Sequence, residues 1–200
     1  MSRFYLADSH YGHANVIKMD GRPFYDVEEM NEKMLGIHNS IIKKNDEIIF
    51  VGDLSFMDAY DTEQLLKRMN GKKYLIKGNH DYYLEDRNFD RDLFGWIKDY
   101  VELNDNRRKV CLSHFPMPFY KKQYSGNSWM LYGHLHNTKD EQIMQEIRTL
   151  IKGHTKNESI YNQENEYIPV NMINCFCKFS NYKPLTLDQW IENAQKRGVL

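Results

Sequence analysis

Short apolar runs alternate with longer amphipathic segments over the first 80 residues, and this order constrains the fold more than any other feature. Three apolar runs predict strands, at residues 4–7, 47–51 and 74–76. Two segments between them have apolar residues at helical spacing: residues 27–44, which Asp26 can cap, and a helix from Asp61 or Thr62 to Met69. Strands that alternate with helices predict parallel strands joined by helical crossovers, and therefore an α/β fold.

The rest of the chain has a less regular order of elements. Strand-like segments are predicted at residues 99–103, 109–112, 129–132 and 167–178, the first two pairing across a turn at residues 104–106. Helices are predicted at residues 141–152 and 187–196, and a polar surface loop at residues 157–166. The sequence contains no repeat or low-complexity linker, so we expect one domain over residues 1–200. A mixed sheet, or two packed sheets with outer helices, fits this order.

Charge and cysteine content exclude several classes of protein. The 27 basic and 28 acidic residues give a formal net charge of −1, so no strong overall field favours nucleic acid or membranes. The N-terminus has no apolar stretch that would serve as a signal peptide, and no run reaches the roughly 18 apolar residues of a membrane span. The odd count of three cysteines argues against a disulfide framework, and we expect a cytoplasmic protein.

Polar motifs follow the predicted strands. They are Asp8-Ser9-His10, Gly52-Asp53, Gly78-Asn79-His80-Asp81, His114, and Gly133-His134-Leu135-His136. Because the carboxyl ends of parallel strands converge at one edge of a sheet, where α/β proteins bind ligands, we expect these side chains to meet.

The residue types in these motifs suit transition-metal chemistry. Asp8 and His10 are two residues apart, so extended backbone would send both side chains to one side, and His134 and His136 repeat that spacing. Asp53 is the candidate carboxylate to bridge two cations. Imidazole mixed with oxygen donors suits Mn, Fe, Zn, Ni or Co better than Ca. Two such metals about 3.5–4 Å apart can generate a hydroxide and neutralise a phosphate during displacement.

Each motif also has an ordinary structural explanation. Asp-x-His occurs by chance, Gly-Asp is a common turn, and an isolated His114 would more often be structural than a ligand. Five of the eight histidines fall in these motifs, in a fixed order, each after a predicted strand. This joint occurrence favours a metal site over coincidence.

The motifs together resemble the calcineurin-like metallophosphoesterase superfamily, whose pattern is Asp-x-His, Gly-Asp, Gly-Asn-His-Glu/Asp, a single His, and Gly-His-x-His. All five elements are present between Asp8 and His136. The chain is similar in particular to the small single-domain bacterial and phage members. The resemblance implies a four-layer αββα sandwich, in which two packed mixed β-sheets are flanked by helices.

The resemblance also implies a role for each motif residue. It assigns Asp8, His10 and His136 to a first metal, Asn79, His114 and His134 to a second, and Asp53 to a bridge between them. It makes His80 the catalytic residue that protonates the leaving oxygen, with a metal-bound hydroxide as the nucleophile. Two divalent cations are expected as cofactors, and Mn is expected to serve in vitro.

The sequence departs from the protein serine/threonine phosphatases of this superfamily, which continue Gly-Asp-x-x-Asp-Arg. Phe56 and Met57 stand at the last two positions. The absent Arg normally grips phosphate and the absent Asp orients the catalytic His. We therefore expect a phosphodiesterase, with Asp58 or Asp81 as alternative partners of His80.

Two further residues are candidates for substrate binding. His13 follows His10 by three residues and can reach the rim of the pocket, and Arg22 can contact a substrate phosphate bidentately. The alternatives are a surface-loop histidine and a solvated arginine before a proline turn.

Three other functions compete with this prediction. The substrate is expected to be a phosphoester and can be a nucleotide, whereas nuclease activity is not indicated by the charge. A non-catalytic protein-interaction module on the same scaffold would tolerate eroded ligands, and the motif residues here are complete. A hydrolase with a single zinc would leave several candidate ligands idle.

Overall fold

The first half of the chain forms a parallel sheet, as the alternation of its elements predicts. The computed structural model describes residues 1–156 and 166–200. The sheet has the order β1 (Arg3–Leu6), β2 (Glu47–Val51), β3 (Lys72–Ile76) and β4 (Ile97–Lys98), with each neighbouring pair parallel. Two helices, α1 (Ala14–Asp20) and α2 (Val27–Ile41), lead from β1 to β2, and α3 (Ala59–Arg68) leads from β2 to β3.

The second half forms a mixed sheet. Its order is β5 (Tyr100–Asp105), β6 (Arg108–Ser113), β7 (Ser128–Tyr132) and β8 (Met172–Asn174). The β5–β6 pair is antiparallel, as the predicted hairpin requires, and the other two pairs are parallel. The remaining helices are α4 (Lys139–Lys152) and α5 (Leu187–Lys196). The expectation of an α/β fold with two sheets flanked by helices is confirmed.

Alternating side chains of the second sheet face two different cores. Val110 and Leu112 of β6 belong to the main core, together with side chains of β1, β2 and β3. Cys111, between them in sequence, packs instead in a smaller cluster with Met130 of β7 and Met144 of α4. Because successive strand residues point to opposite faces, this sheet is covered by the first sheet on one side and by α4 on the other.

Several predicted boundaries differ from the structure. The predicted cap at Asp61 or Thr62 is wrong, because Asp58 accepts a hydrogen bond from Asp61 N and starts α3 one turn earlier. Asp26 caps α2 as predicted. Of the strand-like segment at residues 167–178, only Met172–Asn174 forms a strand. Helix α1 has no predicted counterpart. The predicted loop at residues 157–166 lies outside the described residues except for Glu166.

None of the helices within residues 1–156 and 166–200 combines the length and hydropathy that a membrane span requires. The three cysteines are free thiols and buried.

Candidate metal centre

Both sheets contribute polar loops to one site. Asp8 and His10 follow β1, and Asp53 follows β2 of the first sheet. His114 follows β6 of the second sheet, and its Nδ1 atom lies 3.0 Å from the carbonyl oxygen of Val51 in β2. The predicted convergence of strand ends is therefore present, but it joins the ends of two packed sheets rather than one edge of a single sheet.

One group of donors surrounds the Nε2 atoms of two histidines. His10 Nε2 and His136 Nε2 are 3.1 Å apart, and His136 Nε2 is 3.8 Å from Asp8 Oδ1. Two imidazole nitrogens that each lie about 2.1 Å from one cation, at near-tetrahedral or right angles, are about 3.0–3.4 Å apart. Asp8, His10 and His136 therefore have the spacing of ligands to a single cation.

A second group adjoins the first. Asp8, Asp53 and His114 also place their ligand atoms within 4.8 Å of one another. His114 Nε2 is 3.4 Å from Asp53 Oδ2 and 3.0 Å from Asn79 Oδ1. The His134 ring centroid lies 5.2 Å from that of His114. The structure thus brings every sequence-predicted ligand into one cluster, with Asp8 and Asp53 in its interior.

The ligand loops have unusual backbone conformations. Asp8, His10, Asp53, His134 and His136 all have φ between +48° and +69°, the left-handed region that non-glycine residues rarely occupy. The extended backbone expected for Asp8-x-His10 and His134-x-His136 is therefore wrong. Each such residue costs of order 1–3 kcal/mol, which surrounding contacts must offset. Strain concentrated at five of the seven proposed ligands marks this region as functional.

Two glycines permit the close approach of these loops. A Cβ atom on Gly52, whose φ is +90°, would lie 2.1 Å from His114 Nδ1. A Cβ atom on Gly78 would lie 2.1 Å from Asp53 Oδ1. Any side chain at these positions would displace a proposed ligand, so the glycines that accompany the motifs have a steric cause.

Helix α4 and strand β8 support the second histidine loop. Asn174 Nδ2 donates to the His136 carbonyl oxygen at 3.0 Å and to Glu141 Oε2 at 3.0 Å. The buried Glu141 carboxylate also accepts from the Tyr132 hydroxyl. The main-chain N–H of His134 donates to both Asp8 oxygens, at 2.9 and 3.1 Å. These bonds fix the loop against the first sheet.

Burial and charge shift the pKa values of the site. Burial raises the pKa of Asp8 to about 6, although His136 and His114 oppose the shift. Burial also acts to raise the pKa of Asp53, but the hydrogen bond from His114 holds it at about 2. Burial lowers the pKa of His114, yet Asp53 and Asp8 outweigh it and raise the value to about 9. Burial and His136 lower the pKa of His10 to about 2, so the His10 imidazole is neutral. Two buried carboxylates thus attract positive charge, which a divalent cation supplies more fully than a proton on His114.

His80 faces the cluster beside an aromatic ring. Its main-chain N–H donates to Asp53 Oδ1 at 2.9 Å, and its half-buried ring lies 4.8 Å from that of Phe56. Phe56 also stacks on His13 at 4.0 Å and on His10 at 4.8 Å. The Phe56 ring therefore contacts three imidazoles, those of His10, His13 and His80.

Neither alternative partner of His80 has the predicted role. Asp58 accepts from Asp61 N at the start of α3. Asp81 is buried and accepts from the main-chain N–H groups of Gly78, Asp53 and Leu54. Both carboxylates therefore accept hydrogen bonds from main-chain N–H groups.

The two predicted substrate-binding residues lie in different environments. His13 is half-buried at the rim, with its Nδ1 atom 3.2 Å from His10 Nδ1. The Arg22 side chain is buried and donates to the carbonyl oxygens of Ser9 and Asp8, at 2.7 and 3.0 Å. A guanidinium so occupied supports the ligand loop from behind, which differs from the expected contact with phosphate.

Asp20 is a residue of this site that sequence reasoning did not find. Its Oδ1 atom lies 2.9 Å from His136 Nδ1, across 116 residues of sequence. Its other carboxylate oxygen accepts from Arg22. Asp20 ends a helix that was not predicted and belongs to no motif, so the sequence contains no signal for it.

Comparisons with known proteins agree with this geometry. The model of the calcineurin-like phosphoesterase family matches residues 4–193. The chain belongs to that family. This phosphoesterase is 29% identical to the uncharacterized protein MJ1445 of Methanocaldococcus jannaschii over 203 residues, which cover 100% of the chain and 96% of the relative. It shares its fold with a protein of unknown function, AQ665, from Aquifex aeolicus. The TM-score is 0.66 at 19% identity, over 95% of this chain and 97% of that one.

The family and the Asp/His groups together make this protein a metal-dependent phosphoric ester hydrolase that acts on a phosphoester. The donor set fits divalent cations, because imidazole nitrogens of His10, His114 and His136 lie within 4.8 Å of oxygens of the buried Asp8 and Asp53.

Proposed function

We propose that this phosphoesterase is a dinuclear phosphodiesterase. Asp8, His10 and His136 would hold one cation, Asn79, His114 and His134 would hold the other, and Asp53 would lie between the two. One observation carries the proposal: a single oxygen, Asp53 Oδ2, lies 3.6 Å from His10 Nε2 and 3.4 Å from His114 Nε2. A carboxylate oxygen between the two histidines is suited to two neighbouring cations.

The residues around the cations divide the catalytic work. When bound, two divalent cations supply Lewis acidity to the phosphate oxygens and to a water. His80 is held beside Asp53 through its main chain, so its ring is left to donate a proton to the leaving oxygen. Phe56 limits the motion of that ring by contact. His13 lies behind the same phenyl ring and contributes to the wall that a substrate would meet.

The lack, among the described residues, of an additional positively charged side chain at the proposed phosphate site favours a diester over a monoester. A monoester carries a second negative charge and gains more from an additional positive side chain. Arg22 is the positively charged side chain that the sequence predicted there. It is buried and donates to Asp20 and to two carbonyl groups. Phe56 and Met57 replace the Asp-Arg pair of the related protein phosphatases. This site therefore suits the single charge of a diester.

An aromatic cleft beside the site supports a nucleoside as one ester group. The cleft, of about 630 Å³, includes the rings of Tyr100, Phe119, Tyr120 and Tyr124 and the side chains of Lys121 and Lys122. Met117, at its wall, is three residues after His114 and so within about 11 Å of it along the chain. Aromatic faces stack on nucleobases, whereas Lys121 is paired with Glu102 of the same cleft at 3.3 Å, so the rings carry the argument.

The experiment that tests this function compares hydrolysis of bis-p-nitrophenyl phosphate and p-nitrophenyl phosphate by the wild type and His80→Ala, with Mn added. We expect the wild type to prefer the diester. We expect His80→Ala to bind the same amount of metal, measured by mass spectrometry, and to lose about 10²–10⁴-fold in kcat. His38→Ala, which removes a histidine from α2, is the control and retains activity in its folded fraction.

Metal content separates the alternatives. Two equivalents of metal support the dinuclear site, whereas one equivalent supports a single-zinc hydrolase. A protein that binds two metals and cleaves neither ester with Mn, Ni or Co would be the non-catalytic interaction module.

A further inference from the structure

Asp20 links a proposed metal ligand to a buried cation. Its Oδ1 atom accepts a hydrogen bond from His136 Nδ1 at 2.9 Å. Its Oδ2 atom accepts two hydrogen bonds from Arg22, one from Nε at 3.0 Å and one from Nη2 at 2.9 Å. The carboxylate is thus bonded on both oxygens, and its position is determined from two directions.

The guanidinium of Arg22 extends this link to the other ligand loop. Arg22 Nη1 donates to the Ser9 carbonyl oxygen at 2.7 Å, and Arg22 Nη2 donates to the Asp8 carbonyl oxygen at 3.0 Å. The Arg22 side chain is fully buried, and a buried guanidinium is stable only when its donors are paired in this way. One continuous chain of bonds therefore joins His136 to the loop that holds Asp8 and His10.

We infer that Asp20, braced by Arg22, is a positioning residue that fixes His136 as a ligand of the first cation; the inference rests on the proposed function. A proton on Nδ1 that bonds to Asp20 leaves the lone pair of His136 on Nε2. That atom faces His10 Nε2 at 3.1 Å. Without the carboxylate the imidazole is free to rotate or to change tautomer.

The Asp20–Arg22 pair contacts both ligand loops, and the backbone of both loops is strained. Asp8, His10 and His136 all have left-handed φ values. Such conformations persist only where surrounding contacts fix them. Arg22 supplies contacts to the carbonyl groups of the first loop, and Asp20 supplies the contact to the second. His114, a proposed ligand of the second cation, is oriented by the Val51 carbonyl oxygen and not by Asp20 or Arg22.

The test is calorimetric titration of the metal-free protein with Mn, which needs no substrate. The variants are Asp20→Ala and Asp20→Asn, and the matched control is Asp188→Asn, whose carboxylate pairs with Arg108 on the surface at 2.6 Å. We expect Asp20→Ala to weaken one of two binding events by about 10–100-fold. Asp20→Asn keeps an oxygen that can accept from His136, so it should recover part of that loss. The control should match the wild type.

The outcomes are distinguishable. If the wild type binds two equivalents and both Asp20 variants bind them with unchanged affinity, the inference is overturned and the proposed function stands. A wild type that does not bind two equivalents overturns the proposed function itself. If Asp20→Ala does not fold, the titration of Asp20→Asn tests the inference, with circular dichroism to show that this variant is folded. Equal weakening of both binding events by Asp20→Asn would show a general structural role and would also overturn the inference.

Discussion

The carboxylate of Asp81 holds the main chain of Asp53, the proposed bridging ligand. Asp81 Oδ2 accepts from Asp53 N at 3.1 Å and from Gly78 N at 2.7 Å, and Oδ1 accepts from Leu54 N at 2.8 Å. Three N–H groups from two loops therefore share one buried carboxylate. This explains why the residue after His80 is acidic without assigning it to proton transfer.

Replacing Asp81 by asparagine should destabilise the fold and disturb the bridge. The amide has one oxygen, so at least one of the three buried N–H groups would face an NH₂ group. An unsatisfied buried donor costs about 1–3 kcal/mol. We expect Asp81→Asn to lower the free energy of unfolding in urea by that amount. Asp99→Asn, at an exposed position, should leave it unchanged. Equal stability of the two variants would contradict this account.

The sequence predicted that the motif side chains meet, because each motif follows a predicted strand. Histidines and carboxylates after strands have a recognisable order, and strand–helix alternation fixes where strand ends lie. The support for these ligands was not predictable in the same way. Asp20 meets His136 across 116 residues, and Asp81 resembles an ordinary turn residue until its three bonds are seen. Such partners depend on tertiary contacts that local patterns do not encode.

The local geometry of the ligand loops was not predictable either. A spacing of two residues indicates a common face only when the backbone is extended. At Asp8 and His10 the contacts of two packed sheets impose left-handed φ values instead. The predicted start of α3 failed for a related reason: Asp58, Asp61 and Thr62 are all acceptable caps, and only the path of the loop after Asp53 selects Asp58.

The aromatic cleft predicts a preference for nucleoside esters. Thymidine 5′-(p-nitrophenyl phosphate) and ethyl p-nitrophenyl phosphate share a leaving group and differ in the second ester group. We expect the wild type to have the lower KM for the thymidine ester. Stacking on one ring contributes about 1–3 kcal/mol, so Phe119→Ala or Tyr124→Ala should raise that KM about 10-fold.

The ethyl ester provides the internal control for the cleft. Its KM and kcat should be unchanged in Phe119→Ala and Tyr124→Ala, because no ring stacks on an ethyl group. Tyr167→Ala is the matched variant, since this exposed tyrosine pairs with Thr155 beyond the far end of α4. Equal use of both esters by the wild type would refute nucleoside binding and would leave phosphodiester hydrolysis intact.

His38 predicts a loss of stability in acid that is independent of the metal site. It is buried in α2, and its Nε2 atom lies 3.0 Å from the Asn70 carbonyl oxygen. Burial lowers its pKa from 6.5 to about 4, an effect that the hydrogen bond to Asn70 only partly opposes. As pH falls below 6.5, His38 binds a proton in the unfolded chain but not in the native state. The free energy of unfolding therefore decreases until His38 also binds a proton in the native state, near pH 4.

This effect amounts to about 2 kcal/mol at about pH 5. We expect His38→Gln, whose amide can still donate to Asn70, to be less stable than the wild type at about pH 7.5 and to lose less stability on acidification. The measurement is urea unfolding of both proteins across this range, with EDTA present so that metal binding does not contribute. Only the difference between the two proteins reports His38, because native carboxylates add the same acid dependence to both. Parallel curves would mean that His38 titrates alike in the folded and unfolded states.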